Sequence, residues 1–88
     1  MAAKRITHGD IIRLLEAEGF SATAESGDGV MFKKPTAGAA LLLRAQRLGN
    51  TATGTELELV RRTMIDFGVM SEEEFDRWVA DPKRYQAA

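Results

Sequence analysis

The first stretch of the chain places its apolar residues at helical spacing. One face is formed by Ile11, Leu14 and Leu15 and is widened by Ile12. Thr7 and Asp10 stand three residues apart, as the two members of a capping box do, and Gly19 follows the last residue of the apolar pattern. These signals predict a helix over about residues 7–18, with Phe20 packing back onto its last turn.

Three short strands are predicted next. Residues 20–25 alternate apolar with polar positions, residues 30–34 end at Pro35, and residues 39–44 form a third apolar segment. A four-residue turn over 35–38 would pair Met31 with Leu42 on one face of the sheet and place the neighbouring pairs on the core face. For Ala22 and Ala24 to share that core face, we expect a three-residue loop between the first two strands.

Two further helices complete the pattern. The first is predicted from Thr55 to Phe67, with Thr55 and Glu58 as its capping box and Gly68 at its end. Its apolar residues at helical spacing are Leu57, Val60, Met64 and Phe67. The second begins at Ser71, which forms a capping box with Glu74. Its apolar residues are Phe75, Trp78 and Val79.

The order of elements predicts the fold class α+β: a helix, a three-stranded antiparallel sheet, a helix and an extra C-terminal helix, in one domain over 1–82 with a tail over 83–88. Two helices would cover one face of the sheet. The opposite face carries Met31 and Leu42, so either the third helix or a partner must cover it. The size of Trp78 favours the third helix.

Composition narrows the classes of function. The chain has 88 residues, a net charge of −1, one histidine and no cysteine. Disulfides and thiolate zinc sites are therefore excluded, and neither a metal nor a cofactor is expected. The longest apolar run, Ala39–Leu43, is too short for a bilayer, and no apolar signal region follows the first residues. We therefore expect a cytoplasmic protein without membrane contact.

Several segments, taken together, resemble the HicA family of small toxins, which have the double-stranded-RNA-binding-like fold with an α-β-β-β-α core. The segments are residues 11–20, 27–35, 54–55 and 65–68. In the second of these, the family usually has Gly-Ser-His, two residues, an aromatic, basic residues and a proline. This chain has Gly-Asp-Gly, two residues, Phe32, two lysines and Pro35 at the same positions. The resemblance covers about residues 7–75 and implies the same fold.

The same resemblance implies a function, but the residue needed for catalysis is replaced. HicA toxins are ribonucleases that act on messenger RNA and are held inactive by HicB antitoxins. Their catalytic histidine is matched here by Gly29, and Asp28 stands where the family usually has serine. Glycine has no side chain that could serve as a general acid or base. The resemblance therefore favours a binding role over an enzymatic one.

The sequence offers two candidate sites. A basic group, Lys33, Lys34, Arg44 and Arg47, is the candidate for binding nucleic acid, because phosphate recognition requires clustered cations. Its alternative is an ordinary charged sheet edge. Met31 and Leu42 are the candidate partner-binding residues. No catalytic residue is assigned, and His8 is expected to be a solvated surface side chain because a cationic ring would oppose the helix dipole.

Three hypotheses about function remain open. The first is a catalytically silent HicA-like module that engages a protein partner, HicB-like or other, or single-stranded RNA. The second is a ribonuclease that acts on messenger RNA without the usual histidine. The third is a structural interaction protein unrelated to toxin–antitoxin systems, in which the similarity of fold is incidental.

Overall fold

A computed structural model describes residues 6–26, 29–43 and 51–84 and shows the predicted α+β architecture. The helices are α1 (His8–Ala17), α2 (Gly54–Asp66) and α3 (Glu72–Ala80). The strands are β1 (Ser21–Ser26), β2 (Gly29–Lys34) and β3 (Ala39–Leu43), and a 3-10 turn, Pro35–Ala37, joins the last two. The sheet is antiparallel with the order β1-β2-β3, so β2 is its central strand.

Helix α1 begins and ends where the sequence predicts. The backbone N–H of Thr7 donates to Asp10 Oδ2 at 3.0 Å, and the N–H of Asp10 donates to Thr7 Oγ1 at 3.1 Å, which completes the capping box. At the other end, Gly19 has φ +92°, and the N–H of Phe20 donates to the carbonyl of Leu15 at 2.8 Å. This is a Schellman ending, which satisfies carbonyls that the helix leaves unpaired.

The predicted pairing of β2 with β3 is confirmed in full. Met31 lies opposite Leu42, and the turn closes between Lys34 and Ala39. Gly38 has φ +68°, a left-handed conformation that glycine adopts without a steric penalty. The turn therefore sets the register. The alternation of side chains then separates a core face, with Phe32 and Leu41, from an outer face, with Met31 and Leu42.

The predicted loop between β1 and β2 is wrong. Ser26 pairs with Gly29, so two residues connect the strands instead of three. The register changes inside β1, because Ala22 pairs with Phe32 but Ala24 pairs with Met31. A bulge at this position moves Ala24 out of the row of Phe32. The change in register therefore occurs inside β1 and not in the loop between the strands.

The N-cap of helix α2 lies two residues earlier than predicted. Its N-cap is Thr53, whose backbone N–H donates to Glu56 Oε1 at 2.9 Å. Thr55 with Glu58 has the same spacing, but the backbone before the helix is already fixed, because the N–H of Ala52 donates to the carbonyl of Ile6 at 2.8 Å. This contact between distant segments selects the earlier of two equivalent caps.

Helix α3 packs on the same side of the sheet as the other two helices. Ser71 caps it together with Glu74, as predicted. Phe75 and Trp78 are buried in one cluster with the core residues of α1 and the sheet, and Trp78 lines a groove beside Leu14. The hypothesis that α3 covers the outer face is therefore wrong. Among the described residues, that face is left uncovered by any helix.

Two residues assigned to apolar helix faces are exposed. Phe67 retains 47% of its accessible surface and Val79 retains 37%. Both lie at or near the end of a helix, where the chain leaves the core. The inner residues of both helices, Val60, Met64 and Phe75, are buried as expected.

Gly19 provides a test of the ending of α1. Replacing it by valine should lower the stability by about 1–2 kcal/mol, because a β-branched residue is strained at positive φ. The matched control is Gly54→Ala, since Gly54 has nothing within 4 Å of an added Cβ and its φ is not positive. Urea denaturation of both variants would measure the difference, and equal midpoints would contradict the proposed helix ending.

Candidate functional site

The outer face of the sheet is the candidate site, and its centre is the pair formed by Met31 and Leu42. These residues lie directly opposite each other on β2 and β3. Neither belongs to the buried core, and Leu42 keeps 42% of its accessible surface. Paired side chains on neighbouring strands are close enough to form one continuous apolar surface. The structure therefore brings the two predicted partner-binding residues together.

Gly29 lies beneath one end of this pair. A Cβ built on Gly29 would come within 3.0 Å of Leu42 Cδ1 and 3.3 Å of the carbonyl oxygen of Leu43. The first distance is tighter than most real Cβ contacts, so Leu42 would have to shift by a few tenths of an ångström to admit a side chain here. Gly29 is the position matched to the histidine of HicA toxins, and in this chain the space beside it is filled by leucine.

The structure separates the two described members of the basic group. Lys33 is exposed on the outer face, where it pairs with Ala40 on β3. Lys34 lies on the other side of the strand, and its ammonium donates a hydrogen bond to the carbonyl of Glu18 at the end of α1. A cation at that end also interacts favourably with the helix dipole. Arg44 and Arg47 lie outside the described residues.

Lys34 therefore has a structural contact that the sequence does not reveal. Its partner is 16 positions earlier in the chain, and a backbone carbonyl has no signature in the sequence. Of the predicted nucleic-acid-binding residues that the structure describes, Lys33 is the one whose side chain extends from the outer face.

His8 contradicts the prediction of a solvated side chain. It is 5% exposed, and its Nε2 lies 2.8 Å from Glu56 Oε2. A carboxylate can only accept, so Nε2 carries the proton and donates it. The other ring nitrogen, Nδ1, is buried without a hydrogen-bond partner among the described residues. Glu56 allows this burial by offering an acceptor 48 positions away in the sequence.

The pair joins the first turns of α1 and α2. The carboxylate of Glu56 accepts a hydrogen bond from His8 at the start of α1 and another from the backbone N–H of Thr53 at the start of α2. Burial would raise the pKa of Glu56, but hydrogen bonds from Thr53 and His8 outweigh it and hold that pKa below its ordinary value of 4.5. The His8 side chain is buried, with Nε2 bonded to Glu56 and Nδ1 shielded from solvent. We assign the pair a structural role.

Asp10 is a second buried carboxylate near the helix starts. It is 1% exposed and accepts from the Thr7 backbone, with Arg13 bonded to it and Lys83 Nζ 3.8 Å away. Burial would raise the pKa of Asp10, but the bonds from Thr7 and the two nearby cations hold it below its ordinary value of 3.8. The cations thus compensate the burial of a charge.

Other surface groups form simple pairs. Glu58 Oε1 lies 3.5 Å from Arg62 Nε at i,i+4 spacing, and Glu72 Oε1 lies 3.1 Å from a guanidinium nitrogen of Arg61. Within residues 6–26, 29–43 and 51–84, no three histidine or acidic side chains are grouped closely enough to hold a metal ion. Over the same part of the chain, none of the helices has the length and apolar character needed to cross a membrane.

The contribution of the contact between Glu56 and His8 to stability can be tested by lowering the pH. A lowered carboxylate pKa in the folded state stabilises the fold above the ordinary value and loses that contribution as the pH falls through the lowered value. Glu56→Gln should therefore cost about 1–3 kcal/mol at pH 7 and flatten the loss of stability below about pH 4.5. Urea denaturation from pH 7 to pH 3 measures both effects.

The control is Glu58→Gln, the same change two residues further along α2 in an exposed ion pair. We expect it to alter the stability by less than about 0.5 kcal/mol at every pH. Equal losses in the two variants would show that the buried contact adds nothing beyond surface charge.

Comparisons of the chain with protein-family models, with curated proteins and with solved structures returned no significant match. The resemblance to HicA toxins accordingly stays a prediction from the sequence.

Proposed function

We propose that this chain is a binding module without catalytic activity, which engages a protein partner through the outer face of its sheet. The observation that carries the proposal is the pair at the centre of that face, which is formed by the exposed Leu42 and the partly buried Met31. The described helices all lie on the opposite side. An apolar surface that the described helices leave uncovered is typical of an interaction site.

The chemistry of this face supports a protein partner over single-stranded RNA. Single strands bind to sheets largely by stacking bases on aromatic side chains. The described positions on the outer face carry aliphatic, small and lysine residues and no aromatic ring. One exposed lysine, Lys33, could contact phosphate, but Lys34 is bonded to the end of α1.

The absence of catalysis is supported at Gly29. No side chain is available there, and Leu42 occupies the adjoining space. The only histidine in the chain, His8, is buried and bonded to Glu56. Within this proposal the protein is cytoplasmic and descends from HicA-like toxins, and a HicB-like protein is one candidate partner. The alternatives are a nuclease that acts without the usual histidine and an unrelated interaction protein.

Purified protein should therefore leave messenger RNA intact. The variant Gly29→Ala is the control for contaminating nuclease, because it should retain any contaminant while disturbing Leu42 on the outer face. Gel analysis of RNA over several hours measures the outcome. Cleavage by the native protein that purification does not remove and that Gly29→Ala abolishes would contradict the proposal and favour the nuclease.

Partner binding should depend on Leu42. Leu42→Asp should abolish co-purification of a protein partner from cells that carry the gene, because a charge would be buried at the interface. The matched control is Leu59→Asp, since Leu59 is 41% exposed against 42% for Leu42 but lies on α2. Quantitative mass spectrometry would compare the two variants, and circular dichroism would confirm that both fold. A partner lost equally from both would contradict the assignment of the outer face.

Binding of RNA makes a different prediction. For single strands, affinity falls with salt at a slope of roughly −0.7 per neutralised phosphate. If RNA is the ligand, Lys33→Gln should make that slope shallower by about this amount, whereas Arg62→Gln on α2 should not. Fluorescence anisotropy with a labelled single strand would measure it. A slope that becomes shallower for Lys33→Gln alone would identify RNA, and not a protein, as the ligand of the outer face.

A further inference from the structure

The dimensions of the outer face match a single helix. The strands there have five or six residues, which corresponds to a length of roughly 17–20 Å. Two strand spacings add a width of about 10 Å. An α-helix with its side chains is about 10–12 Å in diameter. One helix of three or four turns would therefore cover the whole surface, and a globular partner would contact little more of it.

The sizes of the side chains on the outer face also suit the binding of a helix. Met31 and Leu42 form its apolar centre, and the neighbouring described positions are small: Ser21, Gly29 and Ala40. Ser21 and Ala40, in the row of Lys33, leave space for the side chains of an approaching element, whereas Leu42 already fills the space beside Gly29. Methionine is flexible and adapts to different apolar partners. The complement of such a centre is a stripe of apolar residues at helical spacing.

The charge of the face is one-sided. Lys33 is exposed one row away from the apolar pair, between Ser21 on β1 and Ala40 on β3. Among the described positions of the outer face, Lys33 is the only ionisable residue, and none is acidic. A partner that buries Met31 and Leu42 would also bring its own flank close to this ammonium. An acidic flank would be attracted, and a basic one would be repelled.

We propose that the partner segment is an amphipathic helix that sets its apolar stripe on Met31 and Leu42 and an acidic residue against Lys33. This inference rests on the proposed function, since it names the partner of the same face. The other occupants of the face, namely RNA, a second copy of this chain and a segment without acidic residues, are distinguished by the test.

The experiment selects peptides from a random 16-residue display library on the full chain. Peptides that also bind the Leu42→Asp variant are removed. We expect the remaining peptides to be enriched in aspartate or glutamate beside apolar residues at helical spacing. As synthetic peptides they should gain helicity on binding and should bind more weakly as the salt concentration rises.

The decisive variant is Lys33→Glu. It should weaken the selected peptides by about tenfold or more, because like charges at an interface are unfavourable. Arg62→Glu is the matched control, with the same change of charge on an exposed residue of α2, and it should leave affinity within about twofold. Isothermal titration would compare the variants, and their melting temperatures would confirm that they are folded.

The possible failures are separable. Peptides that depend on Leu42 but lack acidic residues, or that tolerate Lys33→Glu, would overturn the acidic helix and leave the proposed function standing. A library that yields no Leu42-dependent peptide would overturn both. Self-association that Leu42→Asp abolishes, measured by sedimentation, would assign the face to a second copy of the chain and would also overturn the acidic helix.

Discussion

The burial of Trp78 is the contact on which the arrangement of the surface depends. Its side chain is 1% exposed, lies in the same core cluster as the inner face of the sheet and is 5.3 Å from the ring of Phe75. These two rings hold α3 on the side of the sheet where α1 and α2 lie, so α3 does not cover the outer face. Of the two hypotheses that the sequence leaves open for Met31 and Leu42, a covering third helix is therefore contradicted, and a partner stays a proposal.

Local signals predict much of the fold because their causes are local. The capping boxes at Thr7 and Ser71 and the glycine ending of α1 each involve residues within a few positions of one another. The pairing of β2 with β3 follows from the length of one turn, and it already places Met31 beside Leu42. The centre of the candidate site could therefore be predicted from the sequence.

Two of the failures, the N-cap of α2 and the burial of His8, involve contacts over long distances in the chain. Two threonines precede glutamates at the same spacing near α2, and the bond from Ala52 to Ile6 is associated with the earlier one. That choice places Glu56 in the first turn, where it can accept from His8. Histidine in the first turn of a helix is unfavourable when it is charged and solvated, but a buried ring that donates to a carboxylate is a different case. Neither partner indicates the other in the sequence.

An open apolar face carries a risk of aggregation, and its composition limits that risk. Only two large apolar side chains, Met31 and Leu42, lie there among the described residues, and Lys33 supplies a charge that opposes stacking of identical faces. The bulge in β1 twists one edge of the sheet away from regular pairing with another chain. These features limit the apolar area on the described part of the outer face. In the proposed complex, a narrow apolar centre with one cation beside it would gain selectivity from charge as well as affinity from burial.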